Sequence, residues 1–135
     1  MKIKSTLLAI AAISFASVAS ADSFSIGFTW DGLKKCNSGN PNSVQNPAFV
    51  VKNIPAGTQV IEFRLKDLDV PGFNHGGGTV AVTSDGTIAP GAFKYQSPCP
   101  PGGKHKYEWT ATAKSKKGSD GKKLGVAKAT RKYPE

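Results

Sequence analysis

The sequence predicts an all-β domain, mainly antiparallel, folded as a sandwich or barrel. Three observations carry that reading. Apolar and polar residues alternate with a period of two in several short runs. Fifteen glycines and nine prolines punctuate those runs. No stretch of ten or more residues combines helical spacing of apolar positions with end caps, so few or no helices are expected.

Taken in order, Phe24, Ile26, Phe28 and Trp30 alternate with Ser25, Gly27 and Thr29, the pattern of a half-buried strand. Residues 31–47 are rich in Gly, Asn, Pro and Ser and read as a loop that holds Cys36. Phe49 to Val51 is a short strand ended by the turn Asn53-Ile54-Pro55-Ala56-Gly57. Thr58 to Leu68 is the clearest strand. Val60, Glu62, Arg64 and Lys66 share one face, and Ile61, Phe63, Leu65, Asp67 and Asp69 share the other. The apolar face therefore ends in two acids. A glycine-rich connection follows from Gly72 to Gly78, then a strand from Thr79 to Thr83, closed by the turn Ser84-Asp85-Gly86-Thr87. Ala89 to Gly103 reads as loop. Lys104 to Ala113 alternates again, with His105, Tyr107 and Trp109 on one face. A lysine-rich turn over 114–123 precedes a last strand from Gly125 to Tyr133.

The first 21 residues have the order of a secretory signal. Lys2 and Lys4 are followed by an uncharged apolar run from Leu7 to Val18, and Ala19-Ser20-Ala21 offers small residues for cleavage. The run is short for a membrane span. Export to the periplasm or the medium is expected, with one domain over residues 22–135. Cys36 and Cys99 both lie in that part, and an oxidising compartment makes one disulfide the default, with two buried free thiols as the other reading. No CxxC pair points to zinc.

Charge is uneven. Residues 22–102 hold six basic and six acidic side chains, whereas residues 103–135 hold ten basic and three acidic ones. Such an end meets anionic lipid or glycan, or is simply a solvated surface. Few aromatics interleave the lysines, so stacking on single-stranded nucleic acid is not indicated.

The two histidines, His75 and His105, each sit beside a dense Gly or Pro loop. Asp67-Leu68-Asp69-Val70-Pro71 precedes His75, and Ser97-Pro98-Cys99-Pro100-Pro101-Gly102-Gly103 precedes His105. DLDVP followed by FNHGG resembles the acidic DPDxP motif and following histidine of the phosphatidylethanolamine-binding protein (PEBP) family. SPCPPGGKHKY is similar to that family's GPxPPxGxHxY segment, and NIPAGTQVIEFRLKD to the strand leading into the first motif. The resemblance covers roughly residues 45 to 113 and includes bacterial members of the family. It implies a PEBP-like β-sandwich with a small pocket for phosphate-like or carboxylate groups, including phospholipid head groups. It assigns Asp67, Asp69, His75, His105 and Tyr107 to the pocket, with Pro98 and Pro100 shaping its rim. It also implies inhibitors of proteases or kinases as relatives, hence a protein partner. Leu68 stands where the family motif has proline, Gly76 stands where an aromatic often follows the histidine, and the family's helices have no evident counterpart. These departures predict a reduced fold with a smaller or more open pocket.

The expected ligand is a small anion or zwitterion. Imidazole and tyrosine hydroxyl supply donors, Gly76 to Gly78 could bring backbone N–H groups close, and the acids would orient a histidine or accept an amine. Other readings stay open. Asp67 and Asp69 serve equally as turn caps, and Tyr107 and Trp109 as core. Two histidines and two aspartates could instead hold a metal for hydrolysis. No GxSxG-type signature supports a nucleophilic enzyme, Cys99 is better placed for a disulfide than for catalysis, and no cofactor is implied. Binding, rather than catalysis, is the expected role.

Overall fold

The structure is a computed structural model that describes residues 22–135. The expected leader, residues 1–21, lies outside the described residues. Among the described residues the chain is all β, with no helix, and so with none long and apolar enough to cross a membrane.

Nine strands form in chain order: β1 (Ser25–Phe28), β2 (Ser43–Gln45), β3 (Phe49–Lys52), β4 (Val60–Asp67), β5 (Gly77–Ala81), β6 (Gly86–Ile88), β7 (Lys94–Gln96), β8 (His105–Lys114) and β9 (Lys123–Tyr133). They make a four-stranded sheet ordered β5-β4-β8-β9, a three-stranded sheet ordered β1-β3-β6 and the pair β2-β7. All the pairings are antiparallel.

The long strands follow from alternation. On β4, Ile61, Phe63, Leu65 and Asp67 are buried, while Arg64 and Lys66 are exposed. On β8, Tyr107, Trp109, Ala111 and Ala113 are buried in the same rhythm. Register places Phe63 opposite Ala111 and Leu65 opposite Trp109. Phe28, Phe49 and Val51 close the core from the smaller sheet. Phe49 stacks on Phe63 at 4.4 Å between ring centroids and meets Trp109 edge-on at 5.2 Å. Two side-chain bonds lash β1 and the residues after it to β9: Arg131 Nε donates to the Phe28 carbonyl at 2.7 Å, and Trp30 Nε1 to the Lys132 carbonyl at 2.8 Å.

Three short strands fall where the sequence reads as loop or turn. β2 and β7 pair with each other within residues 31–47 and 89–103, and β6 forms where a turn is expected. Three residues are too few to show alternation, and partners supplied from elsewhere in the chain make these segments strands. The turn itself sits at Asp85, whose carboxylate accepts the backbone N–H groups of Asn53 and Ile54.

Gly77 and Gly78 belong to a strand rather than to the glycine-rich connection. They lie in β5, opposite Arg64 and Phe63. A Cβ on Gly77 would overlap the Phe63 carbonyl, and one on Gly78 would overlap the Phe93 side chain. Gly78→Ala is therefore expected to lower the unfolding free energy by about 1–3 kcal/mol through overpacking. Urea denaturation checks this, and an unchanged midpoint would show that Phe93 yields freely.

Candidate anion pocket

Four segments converge at one end of the four-stranded sheet. They are the loop after β4, the start of β8, the Pro-rich segment before it, and the loop that carries Cys36. A cavity of about 90 Å³ lies between them, and Asp67, His75, His105 and Tyr107 are among its lining residues. Taking about 30 Å³ per water in the liquid, it has room for a few waters or one small oxyanion.

Asp67 is the hub. β4 alternation turns its side chain inward, and only 6% of that side chain is exposed. Its Oδ1 accepts the backbone N–H groups of Asp69 at 2.9 Å and Val70 at 3.0 Å, which folds the chain sharply after β4. Its Oδ2 accepts a 2.7 Å bond from His105 Nδ1. Burial opposes ionisation, but the His105 bond and the two backbone donors outweigh it and hold the carboxyl below its ordinary value.

His75 is fixed from both sides. Its Nδ1 donates to the Gln96 carbonyl at 2.8 Å, and the Gln96 N–H returns a 2.8 Å bond to the His75 carbonyl. Burial lowers its pKa from 6.5, only partly offset by the Gln96 carbonyl and the Asp67 charge. Its ring meets Tyr107 edge-on at 5.5 Å and Phe73 at 4.5 Å. Burial, and then the Asp67 carboxylate beside it, push the Tyr107 hydroxyl upward, so it stays protonated as a donor. With Nδ1 committed in both imidazoles, Nε2 is the nitrogen each has left for a ligand.

The wall opposite is held by the disulfide. Cys36 and Cys99 are joined, which leaves no free cysteine among the described residues. The bridge brings Gly39 and Pro41 to the cavity beside Pro100 and Pro101. Gly39 has a positive φ of 81°, and a Cβ there would stand 3.2 Å from Pro101, so a side chain would crowd the rim as well as strain the backbone.

The structure thus brings together Asp67, His75, His105 and Tyr107, with Pro100 at the rim. Asp69 and Pro98 do not line the cavity. Asp69 lies beyond the end of β4, exposed, and its Oδ2 accepts the Lys106 N–H at 2.7 Å, which is a loop-anchoring role. Pro98 is fully buried behind the wall. Sequence reasoning missed Val70 and Phe73. Phe73, two residues before His75, supplies an aromatic wall despite Gly76 standing where one was sought. A large aromatic residue in a loop rich in Gly and Pro was the available signal for Phe73. Gly39 and Pro41 had no local signal at all.

Asp67, Asp69 and His105 each offer one ligand atom within 4.8 Å of the others. His75 is not in that set, so the two-histidine, two-aspartate metal site does not assemble as expected. The Asp67 oxygens and Asp69 Oδ2 are already taken by N–H donors. A larger cleft of about 480 Å³ runs past Trp30, Lys34, Lys94 and Tyr95. It lacks histidine, and the amide of its buried polar residue, Asn46, is spent on backbone partners.

No family model and no curated protein matches the chain. Among solved structures, a phosphatidylethanolamine-binding protein homologue from Chlamydia trachomatis matches with a TM-score of 0.59. The match covers 85% of this chain and 99% of that one, at 14% identity. The fold is PEBP-like. At that identity the likeness speaks for the architecture, and the PEBP-like sandwich here is reduced to strands and loops.

The pKa shifts set a pH dependence of stability. The folded state disfavours protonated His75, so below pH 6.5 the unfolded chain binds a proton that the folded chain does not. Stability therefore falls as pH drops from 6.5 towards the folded His75 value. The folded state favours ionised Asp67, so a second loss begins below 3.8 and runs down through the folded Asp67 value. Urea melts between pH 8 and 3 should show both declines, and His75→Gln should remove only the upper one. An upper decline that persists in His75→Gln would assign it elsewhere.

Proposed function

We propose that this PEBP-like domain is a binding protein rather than an enzyme, and that its pocket takes one small anionic or zwitterionic group, such as a phosphate or a phosphoethanolamine head. The observation that carries the reading is the convergence of two imidazoles and a protonated tyrosine on one cavity with Asp67 behind them. A neutral His75 cannot donate from Nε2, so an oxyanion binds together with a proton. Asp67 balances a cationic amine on the same ligand. Export belongs to the same proposal, because a disulfide persists in oxidising compartments.

The test is an NMR titration of the disulfide-bonded domain with phosphate, phosphoethanolamine and zinc, following the His75 and His105 ring signals. Phosphate should move both rings together, bind more tightly as pH falls towards the lowered His75 value, and lose its effect in His105→Ala. Stoichiometric zinc binding without a phosphate response would favour the metal reading instead. Silence of both rings towards all three ligands would end the pocket proposal.

A further inference from the structure

Of the nine lysines in residues 103–135, Lys106, Lys114, Lys128 and Lys132 lie on one face of the fold. Antiparallel register gathers them on the outer face of the four-stranded sheet, and it adds cations from a distant part of the chain. The core side of β8 and β9 carries Tyr107, Trp109 and Ala111 opposite Arg131, Ala129 and Ala127. The other side carries Lys106 opposite Lys132, Glu108 opposite Thr130, and Thr110 opposite Lys128. On the neighbouring strand, Arg64 stands opposite Thr110 and Lys66 opposite Glu108. Arg64, Lys66, Lys106, Lys128 and Lys132 are all exposed.

Two acids share this face, Glu62 and Glu108, and both are engaged. Glu108 pairs with Lys128 at 3.1 Å, and Glu62 lies between Lys114 at 3.8 Å and Arg64 at 3.9 Å. Among the described residues, no carboxylate oxygen comes within 4 Å of the ammonium group of Lys66, Lys106 or Lys132, although the Asp69 carboxylate accepts the backbone N–H of Lys106 at the edge of the face. The face is thus a cationic grid, with strands about 4.8 Å apart and same-face residues about 6.7 Å apart along each strand.

We infer that this face is a second binding surface, separate from the pocket, and that its partner is an acidic polysaccharide. Charge complementarity requires a polyanion. The face has no aromatic side chain, so nothing is offered for bases to stack on. Its exposed large apolar residue is Val126, which is too little to insert into a bilayer. Four of its five exposed cations are lysines, point charges suited to sulfate and carboxylate groups in varied orientations rather than to planar bidentate readout. Between them stand the hydroxyls of Thr79, Thr110, Thr112 and Thr130, which match the neutral hydroxyls of a sugar chain.

The experiment measures binding of a heparin hexasaccharide, anionic phosphatidylglycerol vesicles and a short DNA duplex to the disulfide-bonded domain across a salt series. The hexasaccharide should bind best, and weaken steeply with salt. The double variant Arg64→Thr, Lys66→Thr should weaken it about tenfold at low salt, which is about 1.4 kcal/mol for the two cations together. Lys116→Thr with Lys117→Thr removes the same charge from the exposed turn beyond the face and should change binding less than twofold. Equal losses in the two variants would show diffuse charge and overturn the assignment to this face. Tighter binding of vesicles or DNA would overturn the choice of partner. Phosphate shifts at His75 and His105 that survive in the Arg64, Lys66 variant keep failure of this surface distinct from failure of the pocket.

Discussion

Replacing Cys36 and Cys99 together by serine is expected to lower the unfolding free energy by about 4 kcal/mol, the loop-entropy value for bridging a separation of 63 residues. For a domain of this size that corresponds to a fall in Tm on the order of 15 °C. The effect should be large because the loop that holds Cys36 has little else to anchor it. Its residues Asn37 to Asn40 are exposed, and its other ties lie on either side of them: the Tyr133 hydroxyl, which accepts the Cys36 N–H and donates to the Lys34 carbonyl, the bonds between Asn42 and Ser97, and the pairing of β2 with β7. The same variant should lose pocket ligand as well, since Gly39 and Pro41 reach the cavity through that bridge. Thermal melts with and without reductant, and phosphate titration of the double serine variant, measure the two effects. A fall of less than 1 kcal/mol would mean that the loop is held by its hydrogen bonds alone.

Asp67→Ala is expected to be the most damaging single change at the site, at about 3 kcal/mol. Removing one partner of a buried, hydrogen-bonded pair leaves the rest unsatisfied. Here three donors lose their acceptor at once: His105 Nδ1, and the N–H groups of Asp69 and Val70. The consequence runs from stability to function. The turn after β4 carries Val70 and Phe73 to the cavity, and the orientation of His105 rests on Oδ2. Phosphate should no longer shift either histidine ring in Asp67→Ala. Asp67→Asn keeps an oxygen for the backbone donors and should recover most of the stability without recovering the His105 geometry. A double-mutant cycle with His105→Gln reads the coupling directly, and a coupling energy below about 0.5 kcal/mol would place the stabilising role of Asp67 in the turn rather than in its bond to His105.

Much of the sheet was legible from the chain because its physics is local. A strand with one face in the core must alternate, so Ile61, Phe63, Leu65 and Asp67 declared their face, as did Tyr107, Trp109, Ala111 and Ala113. The same periodicity aimed Asp67, His105 and Tyr107 inward before any partner was known. Short motifs placed the two histidines beside glycine- and proline-rich loops, and the two cysteines, with export expected from the leader-like start, implied their bridge.

Other features depend on which distant segments meet, and residue order does not encode that locally. β2, β6 and β7 exist only through their pairing partners. Asp69 and Asp67 look equivalent in the sequence, yet one carboxylate is buried against His105 and the other is spent at the surface on Lys106, because β4 ends between them. Gly77 and Gly78 read as donors for an anion, but the close approach of β4 and of Phe93 sets their need for hydrogen at Cα. Gly39 and Pro41 reach the cavity only because a disulfide spans 63 residues. By itself, then, the sequence determined the strands with a buried face, the inward set Asp67, His105 and Tyr107, and the excess of lysine near the C-terminus. The tertiary structure alone decided which acid serves the pocket, what walls it, and that Arg64 and Lys66 join those lysines on one face. The reason is that burial patterns act between neighbours a few residues apart, whereas cavities and charged faces are made where register and crosslinks bring remote segments together.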